Sequence, residues 1–379
     1  MTAGDARRVC HLTSVHGAND VRIVTRECRS LAAAGYEVHL VAPAPPPAAD
    51  EPGIVVHHVP RTHSRVSRVV HTTRNVLSEA RKIDAAIYHF HDVELLPIAI
   101  RLARSGRQVI YDIHEDVPRD LVTREYLPGP VKRPLAWLVE HFEDFGARRF
   151  ASLVAATDAI ARRFAAINPR TVVLNNYPLD HDAHLPVPAP WASRSRSVAS
   201  VGAISVDRGL VEMVRAMGEL APGLDARLEL AGSFAPPEDR ALAVGIAGWS
   251  RVRELGQLPR ANVAALLGRV RAGLVVFRPA PNNIEAQPNK LFEYMAAGIP
   301  VVASDFALWR AIVDDTGCGL LADPCDPNAI ATAVAYLLSH DREAEAMGRR
   351  GREAVARRYN WSAEEPKLLH LYADLARER

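Results

Sequence analysis

The sequence predicts an α/β protein built from two Rossmann-like halves, and three observations carry that prediction. Short apolar strands alternate with helical segments from Val9 to Leu174, the pattern of a parallel sheet covered by helices. From Asn175 to Ser195 proline and polar residues crowd together and the periodicity is lost, which marks an interdomain linker. The alternation restarts at Val198. A chain of 379 residues is long enough for two domains with large cores. It divides into residues 1–185, residues 186–358 and a terminal segment 359–379.

In the first half Val9 to Thr13 reads as a strand, followed by the loop His16-Gly17-Ala18-Asn19-Asp20 and a helix that stops at Gly35. Asp20 is read as the N-cap of that helix, and Arg22 is placed to shape the acceptor side. Val38 to Val41 and Ile54 to Val59 are strands around a proline-rich surface loop. Arg65–Arg81 carries an apolar helical face from Val66 to Ala80, with Arg65, Arg68 and Arg74 on its other side. A solvated face is the favoured reading of those arginines, and contact with an anionic membrane surface or a phosphate-bearing acceptor the sharper one. Ala85–Phe90 and Val109–Ile113 are strands that end in His91-Asp92 and His114-Glu115-Asp116. Val117 to Pro130 holds three prolines and reads as a mobile loop, and Val131 to Arg148 reads as a helix.

The second half runs through a strand at Val198–Val201, a Gly202–Gly209 loop, and a strand at Arg227–Ala231 that ends in Gly232-Ser233. Further strands at Val252–Leu255 and Gly273–Phe277 follow, the last leading into a loop over 278–287. After Tyr359-Asn360-Trp361 a last helix presents Leu368, Leu369, Tyr372 and Leu375 as its apolar side.

Composition is that of a soluble globular protein, with a net charge of +2 that does not suggest a dedicated nucleic-acid binder. Four cysteines, Cys10, Cys28, Cys318 and Cys325, lack zinc or redox spacing and read as reduced thiols of a cytosolic protein. No signal peptide is visible, and no apolar run approaches a membrane span. The clusters His57-His58 and His89-Phe90-His91-Asp92 raise a metal site, but a satisfied structural role at a strand end is the favoured reading. Only four of the 46 basic residues are lysines, so Lys290 stands out against an arginine-rich background.

Lys290 belongs to the most informative stretch, residues 282–304. Pro288 suits the first turn of a helix, where a missing N–H costs nothing. Leu291, Phe292, Met295 and Ala296 recur at helical spacing, Gly298 suits the C-cap, and Pro300 to Ser304 reads as a buried strand. Free N–H groups and the positive end of a helix dipole make an anion site. A lysine in the first turn opposes the dipole, so it serves a ligand rather than the helix. Glu285 precedes the helix and Glu293 lies within it, one carboxylate at the mouth of the site and one about a turn deeper. Acceptors flanking an anion site suit a ligand that carries both phosphate and hydroxyls, such as a nucleotide sugar.

At these residues the chain resembles the retaining glycosyltransferases of family four. Their signature is two glutamates separated by seven residues, then an Ala-Gly-x-Pro-Val turn; here these are Glu285, Glu293 and Ala297-Gly298-Ile299-Pro300-Val301. The Pro-Asn-Lys entry is similar to a subgroup that makes bacterial polysaccharides and glycosylated metabolites. The resemblance implies a GT-B fold: two facing Rossmann-like domains with a cleft between them and a terminal helix crossing back to the first. It also implies roles. Glu293 would accept from the ribose hydroxyls and Glu285 would lie near the donor sugar. The backbone N–H groups of Asn289 and Lys290 would touch the distal phosphate, with Pro288, Leu291 and Ser233 beside them in the donor site. The segment 202–209 resembles the donor phosphate loop, with Arg208 as its second cation and Ala203 in place of the usual first, so that Lys290 would supply charge instead. His114 sits where the family often has a histidine against the donor sugar, and Gly17 where backbone approaches a donor phosphate. His114, Glu285, Arg208 and Lys290 form the expected catalytic set.

The expected reaction is transfer of a sugar, with anomeric retention, from a nucleotide diphosphate donor (UDP by family habit) to an acceptor hydroxyl. The acceptor would be a sugar, a lipid-linked glycan or a small metabolite. No cofactor beyond the donor substrate and no metal is expected. Alternatives are a GT-B epimerase or sugar phosphorylase, or a catalytically decayed nucleotide-sugar-binding subunit. The expected location is the cytoplasm, with peripheral membrane contact through the basic 61–82 segment. Absence of Gly-x-Gly-x-x-Gly in the first loop argues against a nicotinamide dinucleotide.

Overall fold

The structure is a computed structural model that describes residues 7–43, 52–60, 68–123, 127–179 and 189–378. The chain forms two units, Met1–Asn176 with Trp361–Arg379, and Tyr177–Asn360. The terminal segment from Trp361 therefore belongs with the first unit, and Tyr177 with the second.

In the first unit seven parallel strands form one sheet: β1 (Arg8–Leu12), β2 (Glu37–Ala42), β3 (Ile54–His58), β4 (Ile87–Phe90), β5 (Gln108–Ile113), β6 (Ser152–Ala155) and β7 (Thr171–Val173). Their order is β3-β2-β1-β4-β5-β6-β7, so the direction of winding reverses between β1 and β4. Helices cover both faces, which is why every residue of β4 and of β6 is buried and neither strand alternates in polarity. Register sets His11 of β1 directly beside His89 of β4.

Two sequence expectations need correction here. Residues 117–130 are not a loop throughout: a helix spans Val117–Thr123 and a second spans Gly129–Ala147. Pro118 falls in the first turn of one helix, Pro128 caps the next and Pro130 opens it, positions that need no N–H. Arg22 does not face an acceptor. The segment Val21–Cys28 is a π-helix, and its wider turn buries Arg22, Arg26 and Glu27 together with Ile23 and Val24. Asp20 is its N-cap, accepting the N–H groups of Arg22 and Ile23 at 2.9 and 3.0 Å.

The terminal helix Trp361–Arg377 packs on this unit with Leu368, Leu371, Tyr372 and Leu375 buried. Trp361 Nε1 donates to Ser30 Oγ at 2.9 Å, and Glu364 accepts the Asn175 N–H at 2.9 Å. Among the described residues no helix is long and apolar enough to cross a membrane.

The second unit holds six parallel strands: β8 (Ser197–Val201), β9 (Arg227–Ala231), β10 (Val252–Glu254), β11 (Ala272–Val275), β12 (Val301–Ser304) and β13 (Gly319–Ala322). The order β10-β9-β8-β11-β12-β13 reverses between β8 and β11. Alternate residues of these strands feed two cores: Ala199, Val201 and Val275 pack with Trp309 and Phe292, whereas Val198, Ala272 and Leu274 pack with Met213 and Leu337.

The helix Asn289–Ala296 lies directly on β11. Its Tyr294 ring occupies the space a side chain at position 273 would need, since a Cβ there would stand 2.1 Å from the ring. The Tyr294 hydroxyl in turn accepts the buried Val201 N–H at 2.8 Å, where β8 ends. A glycine on β11 and a tyrosine on the helix thus fix where the helix begins, at the carboxyl edge of the sheet.

Candidate functional site

In open α/β sheets ligands bind at the carboxyl ends of the strands where the winding reverses. In the second unit that place lies beyond β8 and β11. The loop after β8 carries Arg208 at the end of a short 3-10 turn, Val206–Arg208, whose start is capped by Ser205 Oγ. Gly209 follows at φ 75°, and a Cβ there would stand 2.0 Å from Val276 O, so only glycine lets this turn close against β11. The Asp207 carbonyl accepts the Arg278 N–H at 2.9 Å, and Asp239 accepts the Val206 N–H at 2.7 Å. The arginine-bearing loop is thereby tied to the loop that leads to Pro288.

Phe277 is the centre of the arrangement. Its N–H donates to Ser304 Oγ at 2.8 Å, and that hydroxyl donates back to the Phe277 carbonyl at 3.0 Å. Arg208 lies over the ring with its guanidinium carbon 4.9 Å from the centroid, and Lys290 Nζ lies 5.4 Å from the same centroid. Lys290 is 7% exposed, and among the described residues no hydrogen bond or ion pair holds its Nζ. Burial, reinforced by the positive charge of Arg208 and opposed by Glu293, brings its pKa down to about 7. Two cations brought together over one ring, with Lys290 buried at a helix start that has no side-chain cap, suit an anionic ligand.

In the first unit the winding reverses between β1 and β4, and the loops beyond them are locked by carboxylates. Asp92 Oδ2 accepts from Thr13 Oγ1 at 2.7 Å and from the Ser14 N–H at 2.6 Å. His16 lies 3.0 Å from Asp20 through Nδ1 and 3.5 Å from Asp92 through Nε2. Burial acts to lower the His16 pKa, but the Asp20 hydrogen bond and the charges of Asp92, Asp20 and Asp112 outweigh it and raise the pKa above its usual value.

Beneath this loop, Arg22 grips Asp112 with two hydrogen bonds of 2.9 and 2.8 Å and lies 3.1 Å from Glu27. One guanidinium cannot balance two buried carboxylates. Burial would raise Asp112, but Arg22 and the surrounding imidazoles hold it well below the usual carboxylate range. Burial and the Asp112 charge push Glu27 well above that range, beyond what Arg22 offsets. His114 Nε2 lies 2.7 Å and His91 Nδ1 3.0 Å from Asp112 Oδ2. By spacing, two groups here could hold a metal ion: His11, Glu27, His89 and His91, and also His91, Asp112 and His114. Both oxygens of Asp112 already face Arg22, so a divalent ion in the second group would sit beside a fixed positive charge.

Residues 187–354 match the family described as Glycosyl transferases group 1, and residues 21–176 match the Glycosyl transferase 4-like domain. The chain belongs to the group 1 glycosyltransferases. It is 34% identical over 152 residues to a phosphatidyl-myo-inositol mannosyltransferase of Mycobacterium leprae, a match covering 40% of this chain and 39% of that relative. In fold it is similar to a sucrose-phosphate synthase of Thermosynechococcus elongatus, with a TM-score of 0.77 and 19% identity over 98% of this chain and all of that one. It is also similar to Anabaena HepE solved with UDP and glucose, with a TM-score of 0.72 and 14% identity over 97% of this chain and 100% of that one. The two Rossmann-like units are those of the GT-B fold.

Within this chain the expected donor residues fall into three groups. Arg208 and Lys290 are brought together over Phe277. Glu285, Asn289, Glu293 and Ser233 are exposed at the same edge of the unit's loops and helix start. Pro288 and Leu291 are buried: Pro288 caps the helix, the Leu291 side chain lies in the core, and the Leu291 N–H closes a turn on the Pro288 carbonyl at 3.0 Å. In the first unit His114 is part-buried against Asp112. Gly17 accepts the Asp20 N–H, and the one atom crowding a Cβ there is the far end of the Asn19 side chain. Its backbone does not itself demand glycine.

Sequence reasoning missed Phe277 and Asp112, whereas Asp92 has the satisfied structural role at a strand end expected of its cluster. Phe277 reads as one more apolar residue at a strand end. Asp112 reads as a polar residue inside a buried strand, which is a signal in its own right, since such a residue needs partners from distant segments.

Proposed function

We propose that the protein is a retaining glycosyltransferase that moves a sugar from a nucleotide diphosphate sugar to an acceptor hydroxyl. The observation that carries this reading is the convergence of Arg208 and the buried Lys290 over Phe277 at the start of the helix Asn289–Ala296. A diphosphate brings negative charge to that pair. As the sugar leaves, charge builds on that diphosphate, and cations fixed in advance stabilise it most. Glu293, exposed on the same helix one turn beyond Lys290, suits the ribose hydroxyls, and Glu285 at the loop end suits the sugar.

UDP is the proposed nucleotide, in keeping with the ligand of the Anabaena structure. The cation pair takes the place of a metal, and no cofactor enters the reading. The acceptor is proposed to be a hydroxyl of a sugar, a lipid-linked glycan or a small metabolite, and the family relative named for phosphatidyl-myo-inositol is one precedent for the lipid-linked class. A cytoplasmic location with peripheral membrane contact through residues 61–82 completes the proposal. Residues 61–67 of that segment lie outside the described residues, and Arg68 is engaged by Glu94 at 2.6 Å, leaving Arg74 exposed for such contact.

A thermal-shift screen of UDP-, GDP- and ADP-sugars tests the reading. Stabilisation by one nucleotide series, lost on Lys290→Ala, is expected. Absence of any shift across all three series would overturn it.

A further inference from the structure

We propose that Asp112 is a positioning residue that holds neutral His114 as the tautomer protonated at Nε2, presenting Nδ1 as a hydrogen-bond acceptor. The argument follows the direction of a buried hydrogen-bond chain. A guanidinium only donates, so Arg22, bonded to both oxygens of Asp112, leaves that carboxylate an acceptor for every other partner. His114 must then donate through Nε2 at 2.7 Å, and His91 through Nδ1 at 3.0 Å.

The direction propagates. With its proton on Nδ1, His91 keeps a lone pair on Nε2, which faces His11 Nδ1 at 3.0 Å. The two rings lie 19° from coplanar with centroids 5.2 Å apart, the edge-to-edge geometry of an N–H···N bond. His11 must donate there, and its own Nε2 accepts from the Tyr372 hydroxyl at 3.1 Å. The Tyr372 oxygen lies 2.9 Å from His89 Nδ1, which donates to it. One direction satisfies these seven bonds. The Nδ1–H of His91 and the Nε2–H of His114, 3.3 Å apart, are both directed at Asp112 Oδ2 rather than at each other. Changing the tautomer of any ring sets lone pairs or N–H groups face to face along the chain. Burial, which lowers the pKa of His11, His89 and His91, keeps these rings neutral, as the chain requires. The chain thus runs from the terminal helix through β4 and β1 to the part-exposed ring at the end of β5.

An acceptor nitrogen on His114 takes a hydrogen from a ligand; it does not bind a phosphate or carboxylate oxygen. The chemical class it fits is a hydroxyl. Identifying that hydroxyl as one of a sugar rests on the proposed function; the tautomer does not.

The test is made on ligand-free protein labelled with 15N-histidine, by long-range 1H–15N correlation at a pH where the rings are neutral. His114→Gln identifies the His114 signals by their loss. A protonated Nε2 and a pyridine-like Nδ1 are expected for His114, with the pattern mixed or inverted in Asp112→Asn and retained in Glu27→Gln. A protonated Nδ1 in the unmodified protein overturns the proposal, as does an unchanged pattern in a folded Asp112→Asn protein. Where Asp112→Asn does not fold, the unmodified protein alone decides. A protein that binds no nucleotide sugar leaves this result standing, and an inverted tautomer leaves sugar transfer standing, so the two readings fail separately.

Discussion

The Lys290 ammonium and the Arg208 guanidinium share one aromatic ring, 5.4 and 4.9 Å from the centroid of Phe277. Like charges held this close, with Lys290 buried, raise the free energy of the empty protein and are relieved by an anion. The first two predictions follow from that strain.

Proton uptake on donor binding is the first. The free-protein pKa of Lys290 is about 7, and a bound diphosphate favours the charged amine and raises it. Binding above pH 7 therefore takes up a proton, and donor affinity falls as pH rises through and beyond that value. Calorimetry in buffers of different ionisation enthalpy measures the uptake, which is expected to vanish in Lys290→Met.

Stability of the empty protein carries the opposite sign. Lys290 is an amine whose folded pKa lies below its unfolded value, so the unfolded chain binds more protons between about 7 and the usual lysine value. Stability from this group rises with pH across that window, by on the order of 5 kcal/mol in all. Denaturant melts at pH 7 and pH 9.5 should show a rise in the unmodified protein and a smaller one in Lys290→Met.

Arg22 sits between two carboxylates of which one is charged. Asp112→Asn removes the ionised partner and leaves the buried guanidinium only Glu27, a fully buried carboxyl that is costly to ionise, so a loss of up to about 3–5 kcal/mol is expected. Glu27→Gln replaces a carboxyl that burial holds protonated, and it should change stability far less. The Asp112 contribution is present above the ordinary carboxylate pKa and is lost only as pH falls through its depressed folded value. Urea titrations of the two variants at pH 7 check the contrast.

Ser304 carries the Phe277 backbone, donating to its carbonyl and accepting its N–H. Ser304→Ala leaves that buried N–H unpaired and should cost about 1–3 kcal/mol. Because Phe277 underlies both cations, donor affinity is expected to fall as well, whereas a substitution of equal cost in the other core of the same unit would leave it unchanged. Paired stability and binding measurements separate the two.

Much of this was legible in the sequence where the signal is local. The run from Pro288 to Ser304 announces a helix start, an apolar face, a glycine exit and a strand, and each has its place in the structure. The prolines of 117–130 misled because proline breaks a helix interior yet favours its first turn, and sequence alone does not say which applies. Arg22 misled because a π-helix does not follow the 3.6-residue period by which buried positions are read. The pairing of His11 with His89 and of Tyr372 with both joins segments separated by most of the chain, so strand register and the docking of the last helix had to be seen. Phe277 acquires its role only when two separate loops fold over it.

The most direct test of the central claim is calorimetric titration of UDP into the unmodified protein and into the Arg208→Ala, Lys290→Ala double variant at pH 6.5, where Lys290 is largely charged. Binding by the unmodified protein, weakened at least about tenfold in a folded double variant, a loss of about 1.4 kcal/mol or more, is the predicted result. Equal affinity in the two proteins would contradict it.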